Sequence, residues 1–213
     1  MNRKQLFIFD LDGTLVDAYR AIEESLNFTL AKLGSPPVSY WEVKKNVGRG
    51  DKVFMQKFFG RNYFKKALRI YRAHHKKSLL VYSKLKPHAR DVLGTLKRRK
   101  KIIAIASNRP KYFTDLILKK LGIKKYFNIV LCADEINSKK PTPKILNTIA
   151  KRFSVDKNDA VYIGDMNIDL ETAQRAHIDA LFITGGSSTL REVRKYRNKK
   201  VLFDLKEILK LYC

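Results

Sequence analysis

The chain of 213 residues carries 45 Lys and Arg residues against 20 Asp and Glu, a formal net charge of +25 at pH 7. A hydrophobic share of 45% can fill a sizeable core, which argues against wholesale disorder. Two cysteines, Cys132 and Cys213, exclude a disulfide framework and a cysteine-rich metal site. The apolar run 6–9 is too short for a signal peptide, and no stretch approaches the roughly 18 apolar residues of a membrane span. The composition predicts a globular, cytoplasmic protein that makes no membrane contact.

Short apolar runs alternate with helical patterns over most of the chain. A helical pattern such as the one that opens near Pro110 and closes at Gly122 lies between most of these runs. Strands that alternate with helices predict a parallel sheet with right-handed crossovers. The six predicted strands are Leu6–Phe9, Ile102–Ala106, Ile129–Leu131, Val161–Ile163, Leu181–Ile183 and Val201–Phe203.

The alternation stops over residues 16–84, where the pattern is purely helical and Gly60 is expected to end a helix. A helical block after the first strand indicates an inserted unit. We therefore predict an α/β core formed by residues 1–15 and 85–213, and a small helical cap formed by residues 16–84.

The first predicted strand leads directly into Asp10-Leu11-Asp12-Gly13-Thr14. Ligands of parallel sheets bind at the carboxyl ends of the strands, and the alternation of side chains places Asp10 and Asp12 on one side. Two neighbouring carboxylates suit a divalent cation, or a nucleophile beside an acid–base group. Gly13 allows a sharp turn that exposes backbone N–H groups to an anion. The alternative is a strand that ends in an ordinary Asp-Gly turn.

Further polar residues follow the later strands. Ser107 follows the second predicted strand, Lys140 precedes Pro-Thr-Pro, and Asp165 and Asp169 follow the fourth strand. Each has a simpler explanation: a helix cap for Ser107, one lysine among many for Lys140, and acidic residues at a helix N-terminus for the two aspartates. Their order along the chain is what favours one shared site.

These segments resemble the four motifs of the haloacid-dehalogenase-like phosphohydrolases, and the resemblance covers nearly the whole chain. The matching segments are 9–17, Ser107, Lys140 with residues 141–143, and 164–169. The resemblance implies a Rossmann-like core with the helical cap of the subgroup that contains phosphoglycolate phosphatase and beta-phosphoglucomutase. The chain departs from the family pattern at Ala18, at Met166, and at His177, where the family generally has Gly at a helix end.

By this resemblance, Asp10 is the nucleophile and Asp12 the acid–base group. Asp10, the backbone carbonyl of Asp12, and Asp165 bind Mg²⁺, while Asp169 acts nearby, on a water at the metal or on Lys140. An enzyme of this kind must lower the barrier by about 20 kcal/mol or more, since the uncatalysed hydrolysis of phosphate esters is among the slowest reactions known.

The resemblance also implies which residues hold the substrate. Ser107, Asn108 and Lys140 bind the phosphoryl oxygens, with Gly13 and Thr14 at the first turn. In the cap, Arg49 lies in the glycine-flanked loop Val47-Gly48-Arg49-Gly50, and its guanidinium could grip a substrate carboxylate. The alternative for Arg49 is an ordinary exposed turn in a basic cap.

The sequence thus predicts a Mg²⁺-dependent phosphatase that hydrolyses a small phosphorylated metabolite, such as phosphoglycolate, through an aspartyl-phosphate. A phosphomutase of the same fold would use the same motifs and stays open. A dehalogenase is disfavoured, because a halide leaving group needs no acid such as Asp12. The charge also permits a non-catalytic nucleic-acid-binding protein, but no nucleic-acid-binding motif is visible, so a nucleic-acid partner is not expected. The expected assembly is a monomer or homodimer.

Overall fold

The structure, a computed structural model, describes residues 4–196 and 199–212. Its strands are β1 (Leu6–Phe9), β2 (Val16–Asp17), β3 (Lys84–Leu85), β4 (Ile102–Ser107), β5 (Ile129–Cys132), β6 (Ala160–Gly164), β7 (Asp179–Ile183) and β8 (Lys199–Leu202). Its α-helices are α1 (Tyr19–Lys32), α2 (Tyr40–Asn46), α3 (Asp51–Tyr82), α4 (Ala89–Arg98), α5 (Lys111–Lys120), α6 (Lys144–Arg152), α7 (Asn167–Ala176), α8 (Leu190–Val193) and α9 (Glu207–Tyr212).

Six strands form one parallel sheet in the order β5-β4-β1-β6-β7-β8. This confirms the predicted Rossmann-like α/β class. Helices cover both faces, because the side chains of each strand alternate between two apolar clusters. Phe7 and Phe9 pack on one face, against α4 and α5, and Leu6 and Ile8 pack on the other, against α6 and α7. The central strand β1 therefore ends between the ends of β4 and β6.

The last strand differs from its predicted bounds. β8 covers Lys199–Leu202, so it begins earlier than the predicted 201–203 and excludes Phe203. The Phe203 side chain is 72% exposed, and its N–H donates to Glu207 Oε1 at 2.7 Å. The prediction that Phe203 belongs to the last strand, which relied on its hydrophobicity, is therefore wrong, because this residue lies in the exposed segment between β8 and α9.

Residues 16–84 form helices α1, α2 and α3 around an apolar cluster of their own, which includes Ile22, Leu26 and Met55. Gly60 interrupts α3 with φ 61° and ψ −175°, where the sequence predicted a helix end. The chain enters and leaves this segment through the antiparallel pair β2 and β3, and the predicted boundaries at 15/16 and 84/85 fall at this pair. The division into core and cap remains a prediction. Within the described residues, no helix is long and apolar enough to cross a membrane.

The departure at His177 has a measurable cost. His177 ends α7 in the left-handed conformation, with φ 56° and ψ 42°, and it is exposed. In the left-handed conformation, a residue with a Cβ loses about 1 kcal/mol or more of folding free energy. Glycine has no such steric penalty, and its larger loss of backbone entropy on folding is smaller than this. We expect His177→Gly to raise the free energy of unfolding by about 0.5–1 kcal/mol in urea denaturation.

Gly122, which follows α5 with φ 64°, allows the opposite substitution as a control, in which a Cβ is added at a left-handed position. A Cβ added to Gly122 would have no neighbour closer than 3.8 Å, so Gly122→Ala isolates the backbone cost. This variant should lose about 1 kcal/mol. Unchanged or lower stability of His177→Gly would show that the backbone at the end of α7 is not strained.

Candidate active site

The candidate active site lies where β1, β4 and β6 end. Asp10 follows β1 directly, and its N–H donates to the carbonyl of Ile163 in β6 at 2.8 Å. Ser107 is the last residue of β4, and Asp165 follows β6. The parallel arrangement therefore brings together residues that lie up to 155 positions apart in the sequence.

A buried ammonium group organises the centre of the site. Lys140 Nζ donates to Asp10 Oδ1 and to Asp169 Oδ1, each at 2.6 Å, and to the Tyr162 hydroxyl at 2.8 Å. These three bonds use all three ammonium protons. Burial opposes the charge of Lys140, but the carboxylates of Asp10 and Asp169 outweigh this and raise its pKa well above the usual value. Lys140 is therefore a permanent cation that holds two carboxylates in place.

Asp165 is fully buried and accepts three hydrogen bonds. Its donors are the Thr14 hydroxyl at 3.0 Å, the Tyr19 hydroxyl at 3.1 Å and the Ser187 N–H at 2.7 Å. Burial, together with the charge of Asp169, raises the pKa of Asp165 to about 7. A carboxyl group with this pKa gains a strong stabilisation from a nearby cation.

Glycines allow the close approach of the chain to Asp165. A Cβ at Gly13 would lie 2.3 Å from Asp165 Oδ2, and a Cβ at Gly186 would lie 2.0 Å from the same atom. Gly13 also has φ 87°, in the left-handed region. Only glycine fits at these positions without displacing the carboxylate.

Carboxylate oxygens of Asp10, Asp165 and Asp169 lie within 4.8 Å of one another, and all three residues are buried. The donor set consists of hard oxygen ligands, which fits a divalent cation such as Mg²⁺ better than a soft metal. Two of these aspartates are predicted metal ligands, and Asp169 joins them in the same cluster. The side chain of Asp12 is not part of this carboxylate cluster and is directed toward Arg109.

Asp12 is paired with Arg109, a residue that the sequence analysis did not single out. Arg109 Nε donates to Asp12 Oδ2 at 2.7 Å, and Nη2 donates to Oδ1 at 2.8 Å, a bidentate pair. Burial opposes the charge of Arg109, but Asp12 outweighs this and raises its pKa. The sequence could have indicated Arg109 as a site residue by its position, two residues after Ser107 in the loop that follows β4.

The predicted phosphate-binding residues also organise the loops. The Ser107 hydroxyl accepts from the Arg109 N–H at 3.1 Å. Its alternative role as a cap of the following helix is not realised, because the N-cap of α5 is Pro110 and no side chain caps that helix. Asn108 Nδ2 donates to the Gly48 carbonyl at 2.8 Å, and Oδ1 accepts from the Lys140 N–H at 2.9 Å. Asn108 thereby ties a loop of the predicted cap to the loop that carries Lys140.

A cavity of about 70 Å³ is lined both by these residues and by residues of the helical segment. Val47, Gly48 and Gly50 line it, but Arg49 is exposed and is not part of the described lining. Part of the lining is apolar and aromatic. The residues that form it are Ile22, Phe54, Tyr71, His75 and Phe113. The role of Arg49 in substrate binding remains a prediction, and the cations that line the described cavity are Lys140 and Arg109.

Fold and candidate site together combine a parallel α/β sheet with a cluster of buried carboxylates at the ends of its central strands. The sequence profile of the haloacid dehalogenase-like hydrolases matches residues 7–183. The phosphoglycolate phosphatase of Colwellia psychrerythraea is 31% identical over 206 residues, which cover 92% of this chain and 91% of that protein. A structure from Haemophilus somnus, described as a predicted phosphoglycolate phosphatase, matches the fold with a TM-score of 0.95 at 24% identity over all of both chains.

The chain belongs to the haloacid dehalogenase-like hydrolase family. The match confirms the resemblance on which the sequence analysis relied, and with it the expected class of enzyme, a hydrolase of this family whose relatives include phosphatases.

The carboxylate cluster predicts a metal-dependent gain in stability. At a Mg²⁺ concentration of 100 times Kd, binding adds about 2.7 kcal/mol, or roughly 5–10 °C in Tm for a chain of this size. We expect this shift in the wild-type protein at pH 7.5, measured by thermal unfolding. Asp165→Asn, which keeps the shape but removes a charge, should abolish most of the shift.

Each variant is compared with itself with and without Mg²⁺, so a lower starting Tm does not affect the test. Asp91→Asn is the control, because the Asp91 side chain is 70% exposed in α4. A Mg²⁺ shift that survives in Asp165→Asn would remove Asp165 from the metal site.

Proposed function

We propose that this protein is a Mg²⁺-dependent phosphatase that hydrolyses a small phosphorylated acid, such as phosphoglycolate, through an aspartyl-phosphate on Asp10. The observation that carries the proposal is the position of Asp10, at the end of the central strand, beside Lys140 and the carboxylates of Asp165 and Asp169. Relatives that match over most of their length, from Colwellia psychrerythraea and Aquifex aeolicus, are phosphoglycolate phosphatases.

Asp10, Asp165 and the backbone carbonyl of Asp12 would hold the Mg²⁺ ion, with Asp169 beside it. When bound, the metal would reduce the repulsion between the Asp10 carboxylate and the anionic phosphate, and would stabilise negative charge on the phosphoryl oxygens. The cluster suits this role because one ammonium does not balance three buried carboxylates.

The residues of the chain carry the chemical steps. A carboxylate oxygen of Asp10 attacks phosphorus, and the bond between phosphorus and the leaving oxygen breaks. Asp12 donates a proton to the leaving alkoxide. In the second half, Asp12 takes a proton from a water molecule that attacks the phosphoryl group, and inorganic phosphate leaves while the Asp10 carboxylate is restored. Ser107, Asn108 and Lys140 bind the phosphoryl oxygens throughout.

The cavity holds both the carboxyl groups of Asp10 and Asp12 and the cations Lys140 and Arg109. A phosphomutase, which would bind a sugar phosphate at the same groups, is the alternative activity. Release of free phosphate, rather than its return to the substrate, distinguishes the two activities.

Asp10→Asn tests the nucleophile. The amide cannot form the acyl-phosphate, and we expect turnover to fall by several orders of magnitude while the fold is retained. Phosphate release from phosphoglycolate in the presence of Mg²⁺ is the measurement, and circular dichroism checks the fold. Asp91→Asn should keep full activity. Turnover of Asp10→Asn near the wild-type rate would exclude the aspartyl-phosphate mechanism.

Arg49→Ala tests the cap residue predicted from the sequence. Loss of a charged hydrogen bond to a substrate carboxylate costs about 1.5–3 kcal/mol, so KM for phosphoglycolate should rise roughly tenfold or more. An aryl phosphate without a carboxylate should be hydrolysed nearly normally. Because Arg49 is exposed, its removal should leave stability unchanged. Equal effects on both substrates, or no effect on either, would exclude Arg49 from substrate recognition.

A further inference from the structure

His75 is a buried residue of α3 for which the proposed function supplies no role. Its imidazole is 2% exposed and lies between two aromatic rings. It stacks on Tyr71, with centroids 4.7 Å apart, and meets the edge of Phe113 at 5.1 Å. The ring also lines the cavity that contains Asp10 and Asp12.

The donor and acceptor roles in the hydrogen bonds of His75 can be assigned in only one consistent way. The guanidinium of Arg109 has only donors, so its Nη1–H donates to His75 Nε2 at 2.9 Å. His75 therefore carries its proton on Nδ1 and donates it to Ser25 Oγ, also at 2.9 Å. The Ser25 hydroxyl in turn donates to the Ala21 carbonyl at 2.7 Å. Burial and the charge of Arg109 lower the pKa of His75 well below its usual value, which keeps Nε2 free to accept.

The same guanidinium holds Asp12 through both of its oxygens. Arg109 Nε–H and Nη2–H donate to Asp12 Oδ2 and Oδ1 at 2.7 and 2.8 Å, so one side chain fixes the orientation of both carboxyl oxygens. The proposed reaction uses this carboxyl group to take a proton from water in its second half.

The chain of hydrogen bonds crosses between the two parts of the molecule. Ser25 and His75 lie in the helical segment 16–84, whereas Arg109 and Asp12 lie in loops after β4 and β1. Five N–H or O–H groups along this chain of hydrogen bonds each have a defined acceptor, and the acceptor for Arg109 Nη1–H lies in the helical segment.

We propose that His75 is a positioning residue that, through Arg109, orients Asp12 to accept a proton from water during hydrolysis of the aspartyl-phosphate. This inference rests on the proposed function and adds a residue from the helical segment to it. Without the acceptor at position 75, one N–H of Arg109 loses its buried partner, and the guanidinium turns toward other acceptors and releases Asp12.

Three variants separate the hydrogen bond from the packing. His75→Phe keeps an aromatic ring between Tyr71 and Phe113 but removes the acceptor. His75→Gln restores an acceptor within reach of Arg109. His74→Phe is the matched control, since His74 is the adjacent residue, stacks on Phe28 at 4.1 Å and bonds to Ser78.

The measurement separates the two half-reactions with 4-nitrophenyl phosphate in excess Mg²⁺. Its phenolate leaves without a proton from Asp12, so release in the first turnover reports attack by Asp10, whereas the steady state includes hydrolysis of the intermediate. In His75→Phe we expect the first-turnover rate to stay within about twofold, while the steady-state rate falls roughly tenfold or more, the low end of what a general base contributes. Phosphorylated protein trapped by acid should accumulate. His75→Gln should recover most of the steady-state rate, and His74→Phe should match the wild type.

A proportional loss of both rates in His75→Phe, or no loss in either, would overturn the proposal. So would an equal defect in His75→Phe and His75→Gln, because this would assign His75 to packing alone. Failure of the proposed function would be seen separately: the wild-type enzyme would release no phosphate, or Asp10→Asn would remain active.

Discussion

The buried cluster of Asp10, Asp165 and Asp169 around the ammonium of Lys140 is the constraint on which the rest of the site depends. Burying several charged groups lowers the stability of the folded state far more than a hydrophobic core of the same volume would, unless each charge is paired and hydrogen-bonded. Lys140 meets this requirement with three bonds of 2.6–2.8 Å, and Asp165 meets it with three donors. The remaining negative charge is left for a cation to balance, so the energetic cost of the cluster is also the origin of its proposed metal affinity.

The local part of this arrangement could be predicted from sequence. Asp10 and Asp165 directly follow apolar strands, and parallel strands bring their carboxyl ends to one edge, so pattern and topology suffice to place them together. The contacts of Arg109 and His75 could not be predicted in this way. They depend on how α3 packs against the loop after β4. This contact joins residues far apart in the sequence, and no hydrophobic periodicity in the sequence indicates it. The loop 47–50 shows the same limit, because the sequence identified it as a glycine-flanked loop but did not indicate the direction of the Arg49 side chain.

The helical segment and the sheet contribute different properties to the site. The segments that follow the strands of the sheet supply the carboxylates, Lys140 and Arg109, and one of the carboxylates, Asp169, lies in the first turn of α7. The helices supply a largely apolar wall, the Gly48 carbonyl that holds Asn108, and the His75 acceptor that holds Arg109. The packing of the helical segment against the sheet therefore both lines the cavity and, in our proposal, orients Asp12 through Arg109.

The net charge of +25 and the charge of the site have opposite consequences for an anionic substrate. Among the described residues, the ion pairs of Asp10, Asp12 and Asp169 are made with two cations, Lys140 and Arg109, so each of these cations is already paired. The basic surface attracts phosphorylated molecules over long distances, and salt screens this attraction between solvent-exposed charges. Productive binding of a phosphate at Asp10 therefore needs positive charge at the cluster itself. A metal ion bound among the carboxylates would supply that charge, and surface lysines cannot replace it.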